Sequence, residues 1–121
     1  MENTILVADD SASMRQLISF TLQGAGYQVI EAMDGADAVK KLKDDKIAMV
    51  ISDLNMPSMD GMELLKYLRG QDSFRFIPVV MLTTESELSR VLEAKNAGIS
   101  GWIIKPFEPK KLIDTVKKLL P

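Results

Sequence analysis

The sequence predicts an α/β protein: a doubly wound sheet of five parallel strands with helices on both faces. Short apolar runs alternate with amphipathic stretches five times along the chain, the pattern of a parallel sheet wrapped by helices. Several of these runs end in a polar residue, at Asp9-Asp10, Asp53, Thr83 and Lys105. The most informative stretch is Met49-Val50-Ile51-Ser52-Asp53-Leu54-Asn55-Met56-Pro57. There an apolar, largely β-branched run stops at an aspartate, a turn with Asn55 and Pro57 follows, and Asp60-Gly61 opens a helical pattern. Parallel strands place their carboxyl ends at one rim, where ligands of open α/β sheets bind. The polar strand ends should therefore converge.

Taken in order, Thr4 to Ala8 reads as a short buried strand ending in Asp9-Asp10. Ser11 or Ser13 caps the next helix, and Ser13 with Gln16 fits a capping box. Met14, Leu17, Ile18 and Leu22 recur at helical spacing until Gly24 and Gly26 stop the helix. Tyr27 to Ala32 alternates and reads as a more exposed strand. Asp34-Gly35 makes a turn, and Ala38, Val39 and Leu42 mark a short helix. Lys40, Lys41 and Lys43 lie toward its carboxyl end, which favours cations. The central strand is read as Ile47 to Asp53. Asp60 caps a helix that turns Leu64, Leu65 and Leu68 inward, and residues 70 to 76 form a loop. Ile77 to Leu82 is another buried strand, followed by Thr83-Thr84. A capping box of Thr84 with Glu87 would open a helix running from Glu85 to Ala97, which Gly98 ends. Gly101 to Ile104 is the last strand, and Leu112, Ile113, Val116, Leu119 and Leu120 mark a terminal amphipathic helix.

Composition narrows the function. An apolar fraction of 46% beside 26% charged residues is globular. The longest apolar runs are too short to span a bilayer, and Met-Glu-Asn-Thr is no signal peptide. The expectation is a cytoplasmic protein without membrane contact, one domain over residues 1–121 with no output domain. A net charge of −2 has the wrong sign for nucleic-acid binding. The chain has no cysteine, which removes disulfides and thiolate metal sites, and no histidine, which removes imidazole chemistry of its own.

Asp9, Asp10 and Asp53 at one rim would repel one another unless a cation joins them. With neither His nor Cys present, the ligands are oxygens, which suits Mg²⁺. Lys105 would supply a fixed positive charge and Thr83 a hydroxyl donor. Negative charge spread between a metal, a lysine and a hydroxyl describes a phosphoryl-transfer transition state. Its in-line nucleophile would be an Asp53 carboxylate oxygen.

Asp9-Asp10, the run from Asp53 to Gly61, Thr83, and Gly101-Trp102-Ile103-Ile104-Lys105-Pro106-Phe107 together resemble the response-regulator receiver domain, most closely its CheY-like chemotaxis type that stands alone. The resemblance runs the length of the chain, in order and with family spacing. It implies a flavodoxin-like sheet in the order 2-1-3-4-5 with five helices. It implies Mg²⁺ on Asp10, Asp53 and the backbone carbonyl of Asn55, with Asp9 acting partly through water. Lys105–Pro106 would be cis. Thr83 would turn toward the phosphoryl group on Asp53, and Trp102 would move inward with it. Asn55 and Glu85 hold the positions that tune hydrolysis. Two residues depart from the common pattern. Trp102 stands where tyrosine is usual, which bears on inward rotation, and Thr84 stands where a smaller residue often sits, which bears on room at the site.

The implied role is a phosphorylation-dependent switch of a two-component or chemotaxis system. It would not be a conventional enzyme, but would catalyse its own aspartyl phosphorylation and dephosphorylation. With no histidine in the chain, the phosphohistidine donor is a histidine kinase or phosphotransfer protein. Other expected partners are a downstream protein target, such as a flagellar motor switch, and a phosphatase; the chain itself is expected to be a monomer. Output would pass through the Glu85–Ala97 helix, the Trp102 strand and the terminal helix.

A flavin or nucleotide carrier needs a phosphate-cradling loop after the first strand, which Asp9-Asp10 would repel. An aspartyl-phosphate hydrolase usually has a second acid two residues after its nucleophile, where this chain has Asn55. A binding module that is never phosphorylated leaves the acidic site unexplained. Taken singly, Asp9-Asp10 and Thr83 could serve as helix-start residues, Asp60 as a cap, and Trp102 as a fixed core or interface residue.

Overall fold

The computed structural model describes residues 3–44 and 46–121. Strands and helices alternate as β1 (Thr4–Ala8), α1 (Ala12–Gly24), β2 (Gln28–Ala32), α2 (Gly35–Asp44), β3 (Met49–Ser52), α3 (Gly61–Arg69), β4 (Val79–Thr83), α4 (Leu88–Asn96), β5 (Gly101–Ile104) and α5 (Pro109–Leu119). The strands form one parallel sheet in the order β2-β1-β3-β4-β5, as the resemblance implied.

Side chains alternate across a strand, and both faces of this sheet are covered. Leu6, Val50, Val79 and Met81 point into one apolar core with Leu64, Leu65 and Leu68 of α3. Their strand neighbours Ile5, Val7, Met49, Ile51, Val80 and Leu82 point into the other, with Ile18 and Leu22 of α1 and Leu112 and Val116 of α5. That double burial is why the inner strands read as unbroken apolar runs. Edge strand β2 is only partly covered until Ala32, which explains its alternating sequence.

The boundaries moved where local chemistry intervened. Ser11 alone caps α1, accepting the Met14 N–H at 3.3 Å, so the Ser13–Gln16 box does not form. Asp60 and Glu63 do form a capping box on α3. The central strand is shorter than the apolar run, since the chain turns at Asp53. β4 starts at Val79 rather than Ile77, because Pro78 has no N–H to give a ladder, and it extends through Thr83. The largest correction concerns α4, which starts at Leu88, not Glu85, with no side-chain cap. The Glu85 N–H is taken by the Thr83 Oγ1 at 3.2 Å, and the Glu87 N–H by the Glu85 carboxylate at 3.2 Å. Residues 84–87 are thus held as a turn, and the Thr84–Glu87 box is absent.

Two glycines let the segment after β3 close on its surroundings. The Gly35 N–H donates to the Met59 carbonyl at 3.1 Å, and the Gly61 N–H to the Leu54 carbonyl at 2.8 Å. A Cβ on Gly61 would run into the Asp53 carbonyl and lie 2.9 Å from the Leu54 Cα, both backbone atoms that cannot swing away. Gly61→Ala should therefore cost about 1–3 kcal/mol, the usual range for overpacking, read as a lower urea midpoint at unchanged slope.

Candidate functional site

The sheet order brings the carboxyl ends of β1, β3, β4 and β5 to one rim. Asp9 follows β1, where its N–H continues the ladder to the Ala32 carbonyl at 3.1 Å. Its Oδ1 accepts the Ser11 N–H at 2.9 Å, so the residue that caps α1 also orients this carboxylate. Asp53 follows β3 and is fixed on both sides. Its N–H donates to the Ala8 carbonyl at 2.9 Å, and its Oδ1 accepts the Leu54 N–H at 2.7 Å. The remaining oxygens, Oδ2 of Asp9 and Oδ2 of Asp53, both accept from the Lys105 Nζ, at 2.7 and 3.0 Å.

Lys105 arrives from β5. Its backbone N–H donates to the Thr83 carbonyl at 2.9 Å, and the Lys105–Pro106 peptide is cis, as the resemblance implied. The Lys105 side chain is 10% exposed and that of Asp9 only 1%. Burial by itself would depress the lysine pKa. Hydrogen bonds to Asp9 and Asp53, and their charges, outweigh burial and hold it above its ordinary value. The ammonium is therefore charged throughout the neutral range.

Asp10 is exposed, and a carboxylate oxygen from each of Asp9, Asp10 and Asp53 lies within 4.8 Å of the others. Three acids against one lysine leave an excess of negative charge. Among the described residues no cation lies within ion-pairing distance of Asp10. The donor set is all oxygen and partly open to water, which fits a small hard divalent ion such as Mg²⁺.

Thr83 is fully buried at the end of β4. Accepting the Glu85 N–H leaves its hydroxyl proton free to be donated. Trp102 is half-buried, packs against the core beneath α3 and α4, and gives its indole N–H to the Glu85 carbonyl at 3.0 Å. The side chains of Asn55 and Glu85 make no hydrogen bond to the acid cluster among the described residues; Asn55 and Pro106 are exposed.

Some supporting residues escaped the reading of the sequence. Arg15 donates to the Asp9 carbonyl at 2.6 Å and pairs with Glu31 at 3.3 Å. Its signal was available, since a residue one turn into a helix capped by Ser11 lies back over the strand end. Asp34 accepts the Ser58 hydroxyl at 3.2 Å while capping α2 through the Asp37 N–H at 2.8 Å. Ser58 is held there in the left-handed region, at φ 60°.

The sequence pattern of the response regulator receiver domain matches residues 5–117, and the chain belongs to that family, a family of phosphorylation-dependent signalling proteins. Within it the chain is CheY-like. It is 41% identical to the chemotaxis protein CheY1 of Helicobacter pylori over 120 residues, 96% of this chain and 95% of that protein. It is 38% identical to the CheY homolog of Campylobacter jejuni over 118 residues, 96% and 91% of the two chains. The solved structure of chemotaxis protein CheY4 from Vibrio cholerae superposes with a TM-score of 0.93 at 42% identity, covering 98% of this chain and 99% of that one. No helix among the described residues is long and apolar enough to cross a membrane.

Without metal, the acid cluster is a balance of repulsion and one buried ion pair. Asp10→Asn should raise the urea midpoint in chelator by relieving repulsion. Lys105→Met should lower the midpoint, with a loss of up to about 3 kcal/mol in unfolding free energy, because it strands a buried carboxylate. Saturating Mg²⁺ should shrink both differences.

Proposed function

We propose that the protein is a switch controlled by phosphorylation of Asp53, with Mg²⁺ bound by Asp10, Asp53 and the Asn55 backbone carbonyl and with Asp9 acting partly through water. One observation supports this above the rest: the Asp53 carboxylate stands at the rim within 4.8 Å of two further acids and shares the Lys105 ammonium with Asp9. A metal ion bound there would neutralise charge on the acids and on the phosphoryl oxygens.

In the forward step an Asp53 carboxylate oxygen attacks the phosphorus of a phosphohistidine on a kinase or phosphotransfer protein. The new O–P bond replaces the P–N bond, and the leaving imidazole takes up a proton. Lys105 offers its ammonium, and Thr83 its hydroxyl proton, to the transferring oxygens. In the reverse direction of the switch, water attacks phosphorus and the O–P bond to Asp53 breaks, releasing inorganic phosphate. Asn55 and Glu85 flank that path and set its rate. The turnover is the protein's own modification, unlike that of a conventional enzyme, and a separate phosphatase would accelerate it.

Output passes through α4, β5 and α5. Leu88, Leu92 and Ile104 are exposed there, at 69%, 48% and 42%, apolar side chains that suit contact with a protein target. The relatives are chemotaxis proteins, so the target suited to this chain is a component of motility control such as a flagellar motor switch. The protein would act in the cytoplasm as a monomer.

Intact mass after incubation with Mg²⁺ and acetyl phosphate should gain one phosphoryl group. Asp53→Asn should gain none, and excess chelator should abolish the gain in the wild type. Labelling of that variant at the normal rate would overturn the assignment.

The Trp102 indole is bonded to Glu85, two residues beyond Thr83. A shift of Thr83 toward a phosphoryl oxygen would carry this turn and draw Trp102 further inward. Beryllofluoride, a phosphoryl mimic, should then change tryptophan emission and quencher access at saturating Mg²⁺, and Thr83→Ala should blunt the change. Identical spectra with and without mimic would make Trp102 a fixed core residue.

A further inference from the structure

Helix α4 is held very unequally at its two ends. Its carboxyl end closes in a full Schellman turn. The Gly98 N–H donates to the Lys95 carbonyl at 3.1 Å and the Ile99 N–H to the Ala94 carbonyl at 3.0 Å, with Gly98 at φ +94°. Arg69 grips that turn from α3, donating Nε and Nη2 to the Gly98 carbonyl at 3.0 and 2.9 Å. The same guanidinium reaches the Ile77 carbonyl at 2.7 Å. Just beyond, Ser100 Oγ accepts the Val79 N–H at 3.0 Å, pinning the chain to the start of β4.

The amino end has no such anchor. Its N-cap, Glu87, makes no capping bond. Leu88 and Leu92 face outward, and Ala94, near the anchored end, is the only buried residue of the helix. Apolar packing therefore does little to fix the direction in which α4 leaves the 84–87 turn.

Between these ends, α4 is tied to α3 by charge. Glu93 accepts from Lys66 at 2.9 Å and from Arg90 at 3.1 Å. Arg90 also lies 3.9 Å from Asp60 Oδ2, whose Oδ1 caps α3. Asp60 precedes Gly61, the residue packed on the Asp53 carbonyl. The hydrogen bond from Lys66, with the charges of Lys66 and Arg90, holds the Glu93 carboxyl below its ordinary value.

We infer that Asp60, Arg90, Glu93 and Lys66 form an electrostatic latch that holds α4 in its unphosphorylated position, and that α4 swings about its Gly98 end when the latch releases. This rests on the reading of Asp53 as phosphoacceptor and adds how the resting state is maintained. Partly exposed ion pairs are individually weak. A latch need not be strong, since a switch between two conformations responds to small differential interactions. By reciprocity, whatever disfavours the latched position must favour whatever binds the released one.

The test is the affinity of the whole chain for beryllofluoride at saturating Mg²⁺, by calorimetry, for wild type, Arg90→Met, Glu93→Gln and the pair. The two substitutions change net charge in opposite directions. A plain field effect on the anionic mimic would weaken its binding in the first and strengthen it in the second. The latch predicts tighter binding in both, by about two- to fivefold, with less than additive gain in the pair. The gain should vanish near 1 M salt, where the screening length falls to about 3 Å. Backbone amides of Leu88 to Leu92 should exchange faster in the mimic-free variants, while those of Gly98 and Ile99 stay protected. Unchanged or weaker binding in either variant, or a gain that survives high salt, overturns the latch while leaving Asp53 as phosphoacceptor. Failure of the wild type to bind the mimic overturns both.

Discussion

One ammonium group holds the working rim together. Lys105 reaches back from β5 to the ends of β1 and β3, which lie on the far side of β4 in the sheet. Asp9 is nearly fully buried, and a carboxylate there is costly without a cation. Lys105 meets that need and in doing so fixes where Asp53 Oδ2 points. Asp53 Oδ1 is separately fixed by the Leu54 N–H. The proposed nucleophile is thus oriented before any substrate arrives, and little of the geometry would have to be assembled during reaction.

The same arrangement suits the two chemical states proposed for the site. Resting, Lys105 offsets part of the charge on three clustered acids. With a phosphoryl group on Asp53, further negative charge would enter the same pocket, and the ammonium is already within reach. The Lys105 N–H on the Thr83 carbonyl couples the cation to the hydroxyl-bearing strand end. Movement of Thr83 is therefore not independent of the charge balance around Asp53.

What was legible in the sequence followed from short-range rules. Asp53 stood out because a buried run ending in an acid is costly unless the acid has a partner. The sheet was legible because strands buried on both faces read as unbroken apolar runs between helical periods. Asp60 as cap was legible from its place just ahead of the helical period of Leu64, Leu65 and Leu68. Less accessible were features decided by competition for one hydrogen bond. Thr84 and Glu87 carry the letters of a capping box, yet the Glu85 and Glu87 N–H groups are taken by Thr83 and Glu85, and the helix starts later. Arg69 and Asp34 were invisible for another reason. Their partners, Gly98 and Ser58, are 29 and 24 residues away, and no periodicity links them.

The late start of α4 has a mechanical consequence. Had the helix begun at Glu85, a regular backbone would run almost directly from Thr83, and any shift of that residue would be resisted by the whole helix. Residues 84–87 instead form a turn that ends on an uncapped helix, while Arg69 and the Schellman turn fix the opposite end. In the proposed swing, a displacement at Thr83 would therefore meet its lowest resistance in rotating α4 about Gly98. Such a rotation would move Leu88 much further than Ala94, so the exposed residues would travel while the buried one largely keeps its packing. The hydrogen bond from the Trp102 indole to the Glu85 carbonyl ties that side chain of β5 to the same turn. On the proposed mechanism, a signal at the recessed Asp53 would thereby reach the surface where Leu88, Leu92 and Ile104 lie exposed.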